Sequence, residues 1–210
     1  PFAAMQLGRP VKWTEDRQEH FTAVNQERGQ VHDVEVGFDG EGRVLAMSVD
    51  FLHDTGAYTP YGLILPIITA AQVPGPYRVA NYRVRFRAIY TNATPTSPYR
   101  GAGRPHACFV MERTLDSIAN ELGLDRAEIR RRNFIQPDQF PYDLGVAWQD
   151  GNTVVYDSGN YSALMEKALT MLGSRPAGDH IGMGLGVYVE GTGVGPYEGA
   201  HVQVLVSCKV

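Results

Sequence analysis

Thr94-Pro-Thr-Ser-Pro-Tyr-Arg-Gly-Ala-Gly-Arg-Pro105 decides how the rest of this chain is read. Pro95 and Pro98 hold the approach extended, because each restricts its own φ and biases the preceding residue away from helix. Gly101 and Gly103 let the backbone turn sharply or come close to a neighbour without a Cβ in the way. Pro105 suits the first turn of a helix, where its missing N–H costs nothing. The stretch therefore reads as an elbow feeding an open helix N-terminus flanked by Arg100 and Arg104. Such an end presents free N–H groups and partial positive charge, which suits anionic oxygen. Locally it reads equally well as a plain strand-to-helix connection.

Working outward, the spacing predicts a helix over 105–122, with Cys108, Met111, Leu115, Ile118, Ala119 and Leu122 three and four apart and Gly123 as its stop. Upstream, Tyr82, Val84, Phe86, Ala88 and Tyr90 alternate with Arg83, Arg85, Arg87 and Ile89, a strand whose arginines share one solvated face. Val34, Val36 and Phe38, the turn Asp39-Gly-Glu-Gly42, and Leu45, Met47, Val49 and Phe51 predict a hairpin running into His53-Asp-Thr-Gly-Ala-Tyr58. The apolar 60–76 stretch is expected to hold a short buried helix or irregular core segment. The chain starts with a helix stopped by Gly8, then a short strand at Val11–Trp13 and a helical turn capped by Thr14. Beyond Gly123, Asp125 and Glu128 form a capping pair for a helix over 126–133, whose Arg130-Arg-Arg132 run reads as a solvated face. Gln136 to Gly151 reads as a loop, Tyr161–Leu172 as a helix, and Ile181–Val189 and His201–Val206 as strands. Hairpins and helices without regular β-α-β alternation predict an α+β fold, a mixed sheet with several packed helices.

The 210 residues, 43% hydrophobic and 20% charged, have the composition of a globular domain. The formal charge of −4 gives no basic footprint for nucleic acid, and no apolar run suits a membrane span. Cys108 and Cys208 are too few for a disulfide framework and fit a reducing, cytoplasmic setting. The chain opens at Pro1 without a Met, and both ends read as cut. It is expected to be one fragment, 1–210, truncated at both ends, with the loop 136–157 as its candidate sub-boundary.

Several chemistries are refused by spacing. The glycines at 182, 184 and 186 and at 191, 193 and 195 lack the strand–turn–helix setting of a dinucleotide fingerprint. The six histidines are scattered without ligand spacing, His106 and Cys108 fall on different helix faces, and there is no serine elbow. No protein metal ligand and no catalytic pair is assigned within these residues.

The order of blocks supplies the rest. Leu7-Gly-Arg-Pro-Val-Lys-Trp-Thr-Glu-Asp-Arg17, Asp39-Gly-Glu-Gly-Arg-Val-Leu45, His53-Asp-Thr-Gly-Ala-Tyr58, Pro98-Tyr-Arg-Gly-Ala-Gly-Arg-Pro105, Met111-Glu-Arg-Thr-Leu-Asp-Ser-Ile-Ala119 and Arg130-Arg-Arg-Asn133 follow one another. Together they resemble the large, molybdopterin-binding subunit of the molybdenum hydroxylases: xanthine dehydrogenase, aldehyde oxidase and carbon monoxide dehydrogenase. The resemblance implies a piece of a molybdenum-dependent oxidoreductase that inserts water-derived oxygen into a small-molecule substrate, with partner subunits or domains carrying iron–sulfur centres and FAD. It implies that the elbow is the loop beside molybdenum, with the amides of Arg100 and Gly101 facing the cofactor and Ala102 and Gly103 shaping the substrate pocket. It also places Gly101 where a copper-holding cysteine stands in carbon monoxide dehydrogenases, and Ala102 where xanthine oxidases carry a phenylalanine. The elbow is similar to the form II carbon monoxide dehydrogenase-like proteins, so an aldehyde or N-heterocycle is expected before CO or a purine. A carbon monoxide dehydrogenase-like protein and a non-catalytic structural or interaction module sharing the fold remain as alternatives. The catalytic glutamate and further cofactor-binding segments are expected outside these residues. Accordingly, the purified 210-residue chain is expected to carry no molybdenum and to show no turnover; stoichiometric metal and pterin in it would contradict that.

Overall fold

The computed structural model describes residues 1–174, 178–191 and 199. Period-two alternation builds the sheet. β1 (Gln30–Phe38) and β2 (Val44–Gly56) form an antiparallel hairpin, and β3 (Asn81–Tyr90) lies parallel to β2, in the order β1-β2-β3. Val34 sits opposite Val49, and Val49 opposite Val84, so the apolar sets of all three strands share one side. Met47, Val49 and Phe51 of the central strand are buried there. Arg83, Arg85 and Arg87 point to the other, exposed side, as the alternation predicts, and Arg85 pairs with Asp50 of β2.

A parallel pair needs a crossover, and α3 (Ile64–Gln72) supplies it from the apolar stretch expected to be a buried helix. The long helix α4 (Arg104–Leu122) lies against the apolar side of the sheet. Its Ala107, Val110, Met111, Leu115, Ile118 and Ala119 enter one core with Val49, Phe51 and Phe134. Gly123 closes it in the left-handed conformation at φ +65°. Two shorter helices, α1 (Phe2–Leu7) and α2 (Arg17–Ala23), bury no residue. After α4 come α5 (Arg126–Asn133), the hairpin of β4 (Tyr142–Ala147) and β5 (Thr153–Tyr156), and α6 (Tyr161–Leu172). The class is α+β, as expected.

Five local expectations are corrected. Val11–Trp13 is exposed and forms no strand, having no ladder partner among the described residues. The cap of α2 is Asp16 rather than Thr14: Asp16 accepts from the Glu19 N–H at 2.8 Å while Glu19 accepts from the Asp16 N–H at 2.9 Å. That reciprocal pair satisfies two orphan helix donors at once, which a lone Thr14 hydroxyl cannot match. The loop expected over 136–151 contains β4 and the turn into β5. Its Asp and Gly residues are hairpin punctuation, with the Gly145 N–H donating to Asp143 at 2.7 Å and the Asn152 N–H to Asp150 at 2.9 Å. Residues 181–189 are not assigned to a strand, and His201–Val206 lies outside the described residues.

The fifth correction concerns Arg130, which is fully buried instead of solvated. Its guanidinium meets Glu112 at 2.8 Å and Asp116 at 3.0 Å, and donates to the Leu185 carbonyl at 3.1 Å. Glu112 also accepts from the Tyr77 hydroxyl and from the Val187 N–H at 3.0 Å. This buried cluster holds the 185–187 segment on the core. Asp125 caps α5 as expected, accepting from the N–H groups of Ala127 and Glu128. Asn133 sews α5 to the first hairpin, accepting from the Val44 N–H at 2.8 Å and donating to the Gly42 carbonyl at 2.9 Å.

Replacing Arg130 by Met strands two carboxylates in the interior. Denaturant unfolding of this chain is expected to show a loss of about 3–5 kcal/mol. Arg131→Met, which breaks exposed pairs with Glu128 and Glu166, is expected to cost about 1 kcal/mol or less. Equal losses for the two variants would contradict the assignment.

Candidate functional site

The elbow is assembled by contacts that lie far apart in sequence. The approach 95–97 runs beside residue 26: the Gln26 N–H donates to the Pro95 carbonyl and the Ser97 N–H to the Gln26 carbonyl, both at 3.1 Å. At the turn, Gly101 adopts φ +87° and Ala102 φ +50°. The Ala102 N–H donates to the Tyr99 carbonyl at 2.9 Å and the Arg104 N–H to the Gly101 carbonyl at 3.0 Å, closing the elbow into the first turn of α4.

Gly103 fixes how closely α4 approaches α3. A Cβ at this position would stand 2.3 Å from the Leu65 carbonyl oxygen and 2.6 Å from the Thr69 nitrogen, so the backbones meet where no larger residue fits. The Thr69 hydroxyl lies within 3.1 Å of both the Gly103 and Leu65 carbonyls. Behind it runs a buried polar chain: Gln30 donates to Thr69 at 3.1 Å and meets His53 Nδ1 at 3.0 Å, and His32 Nε2 meets the Gln30 amide oxygen at 2.9 Å. Burial pushes both His32 and His53 below the usual histidine range, so they are neutral here. The floor of the elbow is thus polar and uncharged, with His32 Nδ1 left without a hydrogen-bond partner among the described residues.

On one side of the elbow stands Arg28, just before β1. Its guanidinium donates to the carbonyls of Ala102 at 2.8 Å, Arg100 at 2.9 Å and Tyr99 at 3.2 Å. Arg28 itself has φ +86°, and it contacts the Glu27 carboxylate. Glu27 is buried, and its Oε1 lies 3.4 Å from Nε2 of buried His106, the third residue of α4. Burial pushes Glu27 up to about 7, more than Arg28 pulls it down, and burial pushes His106 down to about 4. A groove of about 610 Å³ between β1 and α4 is lined by Arg28, Gln30, His32, His106, Phe109 and Arg113.

The N–H groups of Arg100 and Gly101 have no acceptor among the described residues. These are the two adjacent residues expected to face a cofactor. Ala102 is half-buried beside them, whereas Gly103 is buried against α3. The second elbow arginine, Arg104, turns away: its guanidinium carbon lies 5.5 Å from the Trp148 ring centre and its Nε 3.4 Å from Glu190. No group of three or more His, Cys, Asp or Glu suited to a metal ion occurs among the described residues. Sequence reasoning missed Glu27 and Arg28. They form an unremarkable charged pair between a helix and a strand, and only the chain's path puts them at residues 99–102.

The sequence and fold that carry this elbow match a known group of proteins. The molybdopterin cofactor-binding domain family matches residues 1–134, and the chain belongs to that family, the cofactor-binding part of the molybdenum hydroxylases. The gamma subunit of the 6-hydroxypseudooxynicotine dehydrogenase complex of Paenarthrobacter nicotinovorans is 36% identical over 97% of this chain and 27% of the relative. The carbon monoxide dehydrogenase large chain of Afipia carboxidovorans is 34% identical over 81% of this chain and 21% of the relative. Among solved structures, quinoline 2-oxidoreductase from Pseudomonas putida 86 superposes with a TM-score of 0.70 at 33% identity, covering 81% of this chain and 21% of that one. The chain thus spans 21–27% of the length of these proteins. Among the described residues, no helix is long and apolar enough to cross a membrane.

The Glu27 environment gives a pH dependence of stability. The folded chain holds a proton on Glu27 up to about pH 7, above the ordinary value of 4.5. Its contribution is therefore fully present at or below pH 4.5 and is lost as pH rises through 7. His106 acts in the opposite sense, its contribution being lost as pH falls from 6.5 toward 4. Glu27→Gln isolates the first effect. Between pH 5 and pH 8 the variant is expected to gain about 2–3 kcal/mol relative to the unsubstituted chain by thermal or denaturant unfolding. A pH-independent difference would contradict the burial of this acid.

Proposed function

We propose that the full-length protein containing this chain is a molybdenum-dependent hydroxylase that adds water-derived oxygen to an N-heterocycle or an aldehyde. The observation that carries this reading is the pair of N–H groups at Arg100 and Gly101, without an acceptor among the described residues, at the entry to a 19-residue helix. Fixed backbone donors next to a helix N-terminus suit the anionic oxygen atoms of a molybdopterin cofactor, and they need no reorganisation when negative charge grows there. The cofactor, when bound, supplies the two-electron redox chemistry. Arg100 and Gly101 contribute hydrogen bonds, Ala102 a small side chain at the pocket wall, and Gly103 a backbone that seats the elbow on α3.

One relative, named for a nicotine-derived compound, and the solved quinoline 2-oxidoreductase support a non-purine N-heterocycle. Glycine at 101 supplies no sulfur for copper, which weighs against CO despite the similarity to a carbon monoxide dehydrogenase chain. Glu27, the buried acid beside the elbow, lies on the carbonyl side with Arg28. The general base is proposed to lie in another part of the full-length protein. Relatives named as a complex subunit and as a large chain support partner subunits, proposed here to carry the iron–sulfur centres and FAD.

The test is metal and pterin analysis of the purified full-length protein, followed by dye reduction across N-heterocycles, aldehydes, purines and CO. About one molybdenum per protein with reduction by a heterocycle or aldehyde is the expected outcome. Turnover confined to CO or to purines would overturn the substrate class. A protein without molybdenum and without turnover would instead be a structural or interaction module.

A further inference from the structure

We propose that Arg28 is the positioning residue of the elbow, setting the direction in which the N–H groups of Arg100 and Gly101 point. The peptide group is planar. A trans peptide carries its C=O and N–H on opposite edges of one plane, so fixing one fixes the other. The carbonyl of Tyr99 belongs to the same plane as the N–H of Arg100, and the carbonyl of Arg100 to the same plane as the N–H of Gly101. Arg28 holds both of those oxygens, and a third on Ala102, whose plane carries the N–H of Gly103. All three carbonyls are gathered on one side, and the paired N–H groups are turned to the other.

The chemistry of the side chain suits the task. A guanidinium offers five donors in a rigid planar fork, enough for three carbonyls and a carboxylate together, whereas an ammonium is a point charge with three freely rotating donors. Glu27 contacts the guanidinium at the base of the elbow. The backbone of Arg28 is held at φ +86°, a conformation that disfavours a side-chain-bearing residue. The segment stays there because its neighbour Gln26 is bonded to Pro95 and Ser97 on the approach. Without the guanidinium, the Arg100 and Ala102 carbonyls lose this donor while Tyr99 keeps only the Ala102 N–H, and rotation of the 100–101 plane would present an oxygen where an N–H now stands.

The proposal rests on the functional reading above, and its test separates the two. Arg28→Met and Arg28→Lys are made in the full-length protein, with molybdenum content, kcat, KM, the molybdenum electron paramagnetic resonance line shape and the crystal structure of each recorded. For the Met variant the expected result is molybdenum within about twofold of the parent, KM within about threefold, and kcat lower by about 10²-fold, the scale set by one mispositioned donor. The resonance line shape is expected to change, and the 99–100 and 100–101 peptide planes to rotate. The Lys variant is expected to recover part of kcat. A Met or Lys variant with parental kcat, line shape and peptide orientation overturns the proposal. If the Met variant fails to fold, the Lys variant alone decides by the same readouts. If the parent itself carries no molybdenum, the functional reading fails, and the peptide orientation in the variant structures still decides the role of Arg28.

Discussion

One guanidinium held against three carbonyl oxygens is the contact on which the candidate site depends. Arg28 reaches Tyr99, Arg100 and Ala102 from the foot of β1, more than 70 residues away in sequence. Because the peptide groups are rigid, this contact determines what the far side of the elbow offers. Everything beneath it is arranged so that the elbow cannot settle elsewhere. Gly103 lets α4 close on α3, Thr69 bonds the carbonyl at that crossing, and Gln30 with His53 and His32 fills the floor. Preorganisation of this kind matters where donors must meet growing negative charge without moving.

The fold places the elbow by simple means. A hairpin followed by a crossover gives three strands with α3 on their apolar side, and α4 packs into the same core. The elbow is the link between β3 and α4, so its position follows from the register of β2 against β3 and from the close passage of α3 past Gly103. The buried Arg130 cluster serves a separate purpose. It ties α4, α5 and the 185–187 segment together beyond the elbow, through Glu112, Asp116 and two backbone groups.

What could be read from the sequence was whatever rests on local period. Val34, Val36 and Phe38 announced a strand, and the three- and four-residue spacing after Pro105 announced α4, because each element buries one face. The elbow itself was legible from its prolines and glycines. Arg130 was misread because three adjacent arginines look alike along the chain. Only the helical turn, which sends 130 inward toward Glu112 and leaves 131 and 132 toward solvent, distinguishes them. The β4–β5 hairpin was hidden by its own turn residues, Asp143, Gly145 and Asp150, which resemble loop composition. Arg28 had no local signature, since its partners are main-chain oxygens from a distant segment. Main-chain contacts of that sort leave no residue pattern to find.

The central claim is that the elbow turns its Arg100 and Gly101 amides toward a molybdenum cofactor. A crystal structure of the full-length protein with its cofactor, phased at the molybdenum edge, tests it most directly. The account predicts the N–H groups of Arg100 and Gly101 within about 3 Å of cofactor oxygen atoms, while Arg28 remains on the opposite side of the same peptide planes. A cofactor seated away from residues 99–103, or an elbow presenting its carbonyls to the metal, would contradict it.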